Sequence, residues 1–510
     1  MTSVNHFTLV TERAYMGKKE KKVKSPESVG FKEIFGATAL STNNGLAAIF
    51  MSTMFMVYMT DYAGLGEWGA TLATALLLGA RFIDAFDDPI QGAIMDSAKI
   101  TKHGKYKPFF MLSILMTGIG TIALYSLPDA ITKTPWLVTV WVIFFYFVYD
   151  IGTSFYNQNL LFRTMTSDPE ERSKLLVGPR LWVMVLGMFG SGMTAIVVSI
   201  QAATGSYKTA YMILALVAMG ISCIVSILGW LMVKEKHVVE QDEDEKVRFS
   251  DIFELLKKNK AILVNFFKDL FSGFIWTFLF AAPTYYVKYA YCTDLTTGVV
   301  DYAKLGSMSI IVSLMMLFPL LIGTIVATPI LKAFKGDFIK MQRFDFAMQG
   351  LGGLFMFICQ CLGVLQKNPV LFFISMFIMA TFIGIDFIPG SNIGMEIMDY
   401  TIYKTGKDRS ALTSALGGFL MKAQSALSSA LVGGILMAIG YRVDSVTGDY
   451  IGDLANMPTL LTGMVFVIGL LPAIMALCSI LVSLKYPIDQ EERKKIQEYI
   501  AEHQSKKVEE

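Results

Sequence analysis

One arginine and three carboxylates sit close together inside an apolar stretch. Within Gly79–Asp96, Arg81, Asp84 and Asp88 are spaced three and four apart, and Asp87 lies beside them. On a helix Arg81, Asp84 and Asp88 form one stripe. Each such charge costs roughly 2.5–3.5 kcal/mol at the centre of a membrane helix, so the group must face itself, water or an ion. Three acids against one base leave surplus negative charge, which bound protons or a sodium ion would neutralise. Pro89 removes a backbone hydrogen bond beside the acids and should bend the helix there. The competing reading is an ion-pair network that ties helices together.

The elements that carry these charges must span a membrane. The 510 residues are 54% hydrophobic and only 17% charged, against about 25% charged in soluble domains. The N-terminus is polar and basic (Lys18, Lys19, Lys21, Lys22, Lys24), and no signal peptide is read there. A net charge of +2 carries no nucleic-acid signal. Cys223, Cys359, Cys361 and Cys478 lie in predicted spans and Cys292 near a helix end. With four scattered histidines they suggest no disulfide framework, zinc site or cofactor.

Runs of about 20 apolar residues predict twelve spans: 34–60, 70–96, 109–128, 136–161, 176–202, 209–233, 261–290, 304–331, 344–365, 370–395, 411–440 and 457–484. The longest polar interruption, with the run EQDEDEKVR, falls between the sixth and seventh. The expected plan is an N-terminal segment 1–33, a six-helix half 34–233, a linker 234–260, a second half 261–484 and a tail 485–510. Basic residues crowd one set of loops: Lys99, Lys102, Lys105 and Lys107, then Arg172 and Lys174, Lys332 to Arg343, and Lys404 to Arg409. The positive-inside rule then places both termini and the linker in the cytoplasm, in a cell (inner) membrane. Glu171-Arg172-Ser173 and Asp408-Arg409-Ser410 occupy corresponding loops. Their acids suit a helix N-terminus and their serines could cap it. With the six-plus-six pattern they favour duplicated halves.

Further polar residues lie in the spans. The fourth holds Asp150, then Tyr156, Asn157, Gln158 and Asn159 before Arg163. Tyr, Asn and Gln side chains suit a polyhydroxylated solute, although inter-helix hydrogen bonds would also use them. Arg180 follows Pro179 early in the fifth span, and Lys422 lies too deep in the eleventh to snorkel easily. Lys268 and Asp269 are neighbours that should point to different faces and need partners on other helices. Asp386 lies mid-span, ahead of a Pro389-Gly390 pair expected to break the helix. Glu396 and Asp399 are expected to pair with nearby basic residues, and Asn43-Asn44-Gly45 to interrupt the first span. Charges drawn from both halves imply a central polar cavity. An ion site joined to a solute site between rocking halves is the arrangement of a symporter.

GARFIDAFDDPIQGAIMD followed by KHGKYKPF resembles the second span and next loop of the glycoside–pentoside–hexuronide:cation symporters, the melibiose permease-like branch of the major facilitator superfamily. Arg81, Asp84, Asp87, Asp88, Pro89, Gly92, Gly104, Lys105, Lys107 and Pro108 match that pattern. TSDPEERSKL, Pro179-Arg180, IMDYTIYKTGKDRSA, Lys422 and Gly440-Tyr441 add weaker matches, so that the resemblance runs from about Phe35 to Leu484. It implies an all-α major facilitator fold and no enzyme activity. It also implies H+- or Na+-coupled symport of a sugar or glycoside by alternating access, by a protein acting as a monomer in the lipid bilayer. Asp84 and Asp88 would be the cation carboxylates and possible Na+ ligands, with Asp87 a third acid where relatives carry Asn. Lys422 would link cation and sugar sites, and Arg180 would contact substrate.

Candidate solute residues are Asp150, Tyr156, Asn157, Asn159, Arg180 and Lys422. Arg81, Lys268, Asp269 and Asp386 form a candidate charge network, and Lys105, Lys107, Arg172, Asp399 and Arg409 candidate gate contacts. The chain lacks the acidic galactoside ligands near Asn43–Gly45 and Phe155–Asn157. Retained Arg163, Arg180 and Lys422 would suit an anionic glycoside. An exchanger or uniporter of the same fold is the alternative. Tyr149-Asp150 and Gly384-Ile385-Asp386 leave an intramembrane aspartyl protease as a remote one.

Overall fold

The computed structural model describes residues 28–65, 67–238, 255, 257, 259–281, 283–294, 297–439 and 454–503. The acidic linker run, the Gly440-Tyr441 pair and the lysine-rich N-terminus lie outside them. Among the described residues there are twelve long helical units. Helix α1 is Phe31–Thr53, extended by turns to Tyr62. It is followed by α2 Glu67–Asp96, α3 Lys107–Tyr125, α4 Pro135–Ser154, α5 Pro169–Thr204 and α6 Tyr207–Met232. The second set is α7 Lys260–Ala281, continued by Pro283–Tyr291, then α8 Tyr302–Ala333, α9 Phe338–Cys361, α10 Pro369–Thr405, α11 Ser410–Ala438 and α12 Met457–Ser483. A tail helix, α13, spans Gln490–Glu502. Eight units are long and apolar enough by composition alone to cross a membrane. Helices α1, α2, α5 and α11 are not among the eight, and the last three carry Asp88, Arg180 and Ser414 to a cavity wall.

Several helices outrun their apolar segments because capping, not hydropathy, sets their ends. Helix α5 begins at Pro169, where the Asp168 side chain accepts from Glu170 N at 2.8 Å. Thus the acid before the first turn is the cap, and Ser173 instead donates to Pro169 O. Helix α9 starts at Phe338 under an Asp337 cap. Helix α10 runs to Thr405 and stops at Gly406, whose φ of 70° suits a residue without Cβ.

Two expected breaks do not form. Pro389-Gly390 does not break α10, because a proline removes only one backbone bond and the surrounding helices hold the rest. Asn43 does not interrupt α1. Its side chain bonds Ile114 O at 3.1 Å and Thr117, and Ser222 donates to it at 3.1 Å, so it ties α1 to α3 and α6. Gly45 does allow close approach, with Val183 placed 3.2 Å from where a Cβ would stand. The real break comes in the fourth span after Ser154. Asn157 caps a new short helix, Gln158–Met165, by accepting from Leu160 N at 3.2 Å.

The apolar core has three main parts. One lies within α1–α6, around Phe50, Tyr58, Tyr125 and Tyr211. A second lies within α7–α12, around Phe278, Tyr286, Phe372 and Met464. The third joins both sets, from Ala37, Phe110 and Leu161 to Ile393, Leu412 and Ile496. It sits at the end where the chain enters α1 and leaves α12, called here the base. The two halves are therefore cemented at the base, and a cavity lies between them above it.

Candidate functional site

Three connected lobes make up this cavity. The first, about 340 Å³, is lined by Asp88 and Gly92 of α2, Tyr156 to Asn159, Arg180 of α5, and Ser414 and Gly418 of α11. The second, about 390 Å³, shares Asn159, Arg180 and Ser414 and adds Asn265, Asp269 and Gln424. The third, about 470 Å³, is lined by Arg180, Asp269, Trp276, Gln342, Gln349, Asp386 and Phe387. Arg180 lines all three. Its guanidinium lies 5.0 Å from the Phe387 ring, and its Nε has no hydrogen-bond partner among the described residues. An arginine stacked on an aromatic with an unused donor is poised to bind an oxygen-rich ligand.

Of the acidic stripe, Asp88 is described: it is buried and lines the first lobe with the polar Tyr156–Asn159 segment. The side chains of Arg81, Asp84, Asp87 and Lys422 lie outside the described residues, although their backbones lie on α2 and α11. Tyr156 packs edge-on against Phe110, and Asn157 donates to Ser414 of the other half at 2.5 Å. Asp150 is buried within α4 and lines none of the three lobes. The break after Ser154 turns the chain, so the residues beyond it face the cavity while Asp150 does not. Lys268 and Asp269 pair with each other at 3.1 Å, contrary to the expectation of divergent faces, because a long lysine side chain can curl back. The same Nζ also donates to Gln342 at 2.6 Å.

Below the cavity, the base is locked by charge. Arg163 meets Asp399 at 3.0 Å and Asp408 at 3.5 Å, Arg172 meets Asp399 at 2.9 Å, and Lys105 meets Asp408 at 3.6 Å. Arg163 is thus occupied by two acids of the other half and does not reach the cavity as a solute ligand. Burial works to raise the Asp408 carboxyl. Lys105, Arg163, Ser410 and Tyr106 together hold it well below the usual carboxylate range, so this carboxylate stays ionised at neutral pH. Arg409 is buried beside it. Asp96, at the end of the acidic motif, accepts from the first amides of α11, Ala411 N at 2.9 Å and Leu412 N at 2.8 Å. One half thereby caps a helix of the other, where the helix dipole favours a carboxylate. Helix α2 can come this close because it presents Gly92, where a Cβ would stand 2.9 Å from Ala411 O. Sequence reasoning gave Asp96 no role, since its partner lies more than 300 residues away.

Lys107 does not cross between the halves. Its Nζ donates to Val233 O at 2.7 Å and lies 4.3 Å from the Trp230 ring. The Gly-Lys-x-Lys-Pro loop instead forms a cradle. Gly104, at φ 107°, leaves room for the Glu235 carboxylate, which accepts from Lys105 N at 3.1 Å, Tyr106 N at 2.9 Å and Lys107 N. Burial outweighs these donors and pushes Glu235 up to about 7 from an ordinary 4.5. A carboxyl raised in the fold contributes stability that is fully present below 4.5 and lost as pH rises through about 7. The melting temperature of the wild type should therefore fall across that window, and Glu235→Gln should flatten the fall. Parallel melting curves for the two proteins would exclude the cradle as the titrating group.

At the far side of the base, Glu396 pairs with Arg493 of the tail helix α13, and Lys404 with Glu492 at 2.8 Å. The tail is therefore packed onto the second half from its first turn.

A family model described as MFS/sugar transport protein matches residues 35–490. An uncharacterized symporter of Bacillus subtilis (strain 168), YjmB, is 23% identical over 446 residues, covering 85% of this chain and 89% of that protein. A second uncharacterized symporter of the same organism, YnaJ, is 24% identical over 455 residues, covering 87% and 89%. The fold matches that of the Escherichia coli Major Facilitator Superfamily transporter FucP in the outward conformation. The TM-score is 0.56 at 12% identity, over 90% of this chain and 98% of that one.

Proposed function

The chain belongs to the MFS/sugar transport protein family, and on that premise we propose that it is a cation-coupled symporter of a sugar or glycoside. By family and fold it is a multi-pass membrane transporter rather than an enzyme. The observation that carries the coupled reading is the first lobe, where Asp88, Tyr156, Asn159 and Arg180 line one space between the halves. A cation that neutralises the α2 acids removes negative charge from the wall of the solute site. Each ligand then strengthens the other by the same factor. The aromatic pair Trp276 and Phe387, 5.8 Å apart, offers an apolar plate for one face of a sugar ring. Arg180, Gln342, Gln349 and Gln424 surround it with groups for hydroxyls or a carboxylate. With Arg163 occupied at the base, a hexuronide-type carboxylate would rest on Arg180, together with Lys422.

The finer reading places the chain with the glycoside–pentoside–hexuronide:cation symporters, acting as a monomer with both termini cytoplasmic. The closed base then faces the cytoplasm, and the structure is the outward-facing member of the transport cycle. Lys105, Arg172, Asp399 and Arg409 act as the inner gate.

Purified protein in liposomes, given neutral glycosides, pentosides and glucuronides while internal pH and sodium are followed, tests the proposal. Solute-dependent acidification identifies proton symport, and sodium entry without it identifies sodium symport. Solute entry with neither would replace the proposal by a uniporter or exchanger. Arg180→Lys should weaken the apparent affinity of the active solute by about tenfold, the worth of one charge-assisted hydrogen bond. An unchanged affinity would remove Arg180 from the solute site.

A further inference from the structure

The chain that leaves α6 reaches the base lock from behind. Glu235 follows Met232, the last residue of α6, by three positions and is buried. Its carboxylate accepts from three successive amides of the α2–α3 loop. One oxygen takes Lys105 N at 3.1 Å, and the other takes Tyr106 N at 2.9 Å and Lys107 N. Consecutive N–H groups converging on one carboxylate fix the course of the backbone that carries them. Helix α6 holds the far end of the same loop, where Trp230 Nε1 donates to Lys107 O at 2.8 Å.

The side chains fixed in this way are the ones that cross to the other half. The buried Tyr106 places its hydroxyl 2.9 Å from Asp408 Oδ2 and 3.1 Å from Asp96. Lys105 Nζ lies 3.6 Å from that same Asp408 oxygen. The next two residues hold a second arm of the lock. Lys236 N and His237 N both donate to Thr164 O, at 2.7 and 2.8 Å. Thr164 directly follows Arg163, which meets Asp399 and Asp408. Lys236 Nζ anchors the segment on Glu33 of α1 at 2.7 Å. Glu235–His237 thus backs three groups of the N-terminal half that meet Asp408. Contacts between rocking halves must re-form with one geometry at every closure. A backbone already held at three amides spares Lys105 and Tyr106 from being ordered anew each time.

We propose that Glu235 is a positioning residue of the inner gate: its carboxylate, held within the N-terminal half, presents Lys105 and Tyr106 to Asp408 whenever the base closes. This role rests on the inner-gate reading of Lys105 given above. It makes the first residues of the linker part of the gate.

Spin labels at Lys174→Cys of α5 and Lys340→Cys of α9, in the full-length protein without its native cysteines, report the separation of the halves in lipid. Both lysines lie outside the α2–α3 loop and pair within their own halves, with Glu171 and with Asp337 at 3.0 Å. The measurement is made on the alkaline side of neutrality, where Glu235 is ionised. Glu235→Gln keeps the size of the side chain and replaces one accepting oxygen by an amino group that cannot accept. It should raise the ratio of base-open to base-closed protein about fivefold, the worth of one hydrogen bond. In the Lys105→Met/Tyr106→Phe protein the cradle amides remain but the polar groups that meet Asp408 are gone. There the same substitution should add nothing. No shift on Glu235→Gln overturns the proposal. So does an equal shift in both backgrounds, which would make Glu235 a general prop of the fold. Glu235→Asp draws the carboxylate back by one methylene and is read by the same outcomes where the Gln variant does not fold. An unchanged ratio in Lys105→Met/Tyr106→Phe would remove both residues from the inner gate and the proposal with them. A uniport result in liposomes leaves Glu235 in its role, since a rocking carrier closes its base whatever it couples to.

Discussion

Asp88→Asn should abolish the cation dependence of transport while leaving solute exchange across the membrane intact. The acid lines the first lobe beside Tyr156, Asn159 and Arg180, so its charge bears on both ligands. Coupling between two sites is commonly worth about 1–3 kcal/mol, or roughly 5–150-fold in affinity. The asparagine keeps the size of the side chain and removes the charge that a cation would neutralise. Solute affinity should become flat against pH and sodium, and uphill accumulation should fall to background, with downhill counterflow preserved. Measuring both modes in the same liposomes separates uncoupling from misfolding. Gradient-driven accumulation at wild-type levels by this variant would reduce the α2 acids to structural charges.

The second large effect is expected at the base. Arg163 lies between Asp399 and Asp408 with both contacts buried. Removing one member of a buried charge network costs about 3–5 kcal/mol, because the partners stay buried and unpaired. That cost falls only on the conformation in which the base is closed. Since about 5.5 kcal/mol carries a two-state equilibrium from 1:99 to 99:1, Arg163→Ala should move most of the population to the base-open state. Spin labels at Lys99→Cys and Lys407→Cys, in a background without the native cysteines, report the separation across the base. The variant should show a longer distance and the wild type a shorter one. Identical distributions would mean that the apolar core around Leu161, Ile393 and Leu412 holds the base without the charges. Asp96 provides an internal comparison. Asp96→Asn keeps an acceptor for the α11 amides but loses the charge, so its shift should be in the same direction and smaller.

Much of this molecule is legible one segment at a time. Apolar runs of membrane length predict twelve spans, and twelve helical units occur in the same order among the described residues. Their ends differ where local chemistry overrides hydropathy, as with the Asp168 and Asp337 caps. The polar Tyr156–Asn159 segment and Arg180 stand out from sequence because polar groups in an apolar helix need partners, and both line the cavity.

Which partner each charge finds is another matter, because composition and periodicity act within a few turns of one helix. Arg163 looks free for an anionic solute until the tertiary structure brings Asp399 and Asp408 to it from the other half. Lys107 matches a gate motif, yet its ammonium stays within its own half on Trp230. Asp345 lies near the expected start of a span, and its sequence position gave it no role. Only the packing of α9 against α10 and α12 buries it. The sequence by itself determined a membrane protein of twelve helices with costly charges inside them, since hydropathy and helix geometry are local. The tertiary structure alone decided which charges neutralise one another and which are left facing a cavity. That depends on electrostatics between groups hundreds of residues apart, which no spacing along the chain encodes.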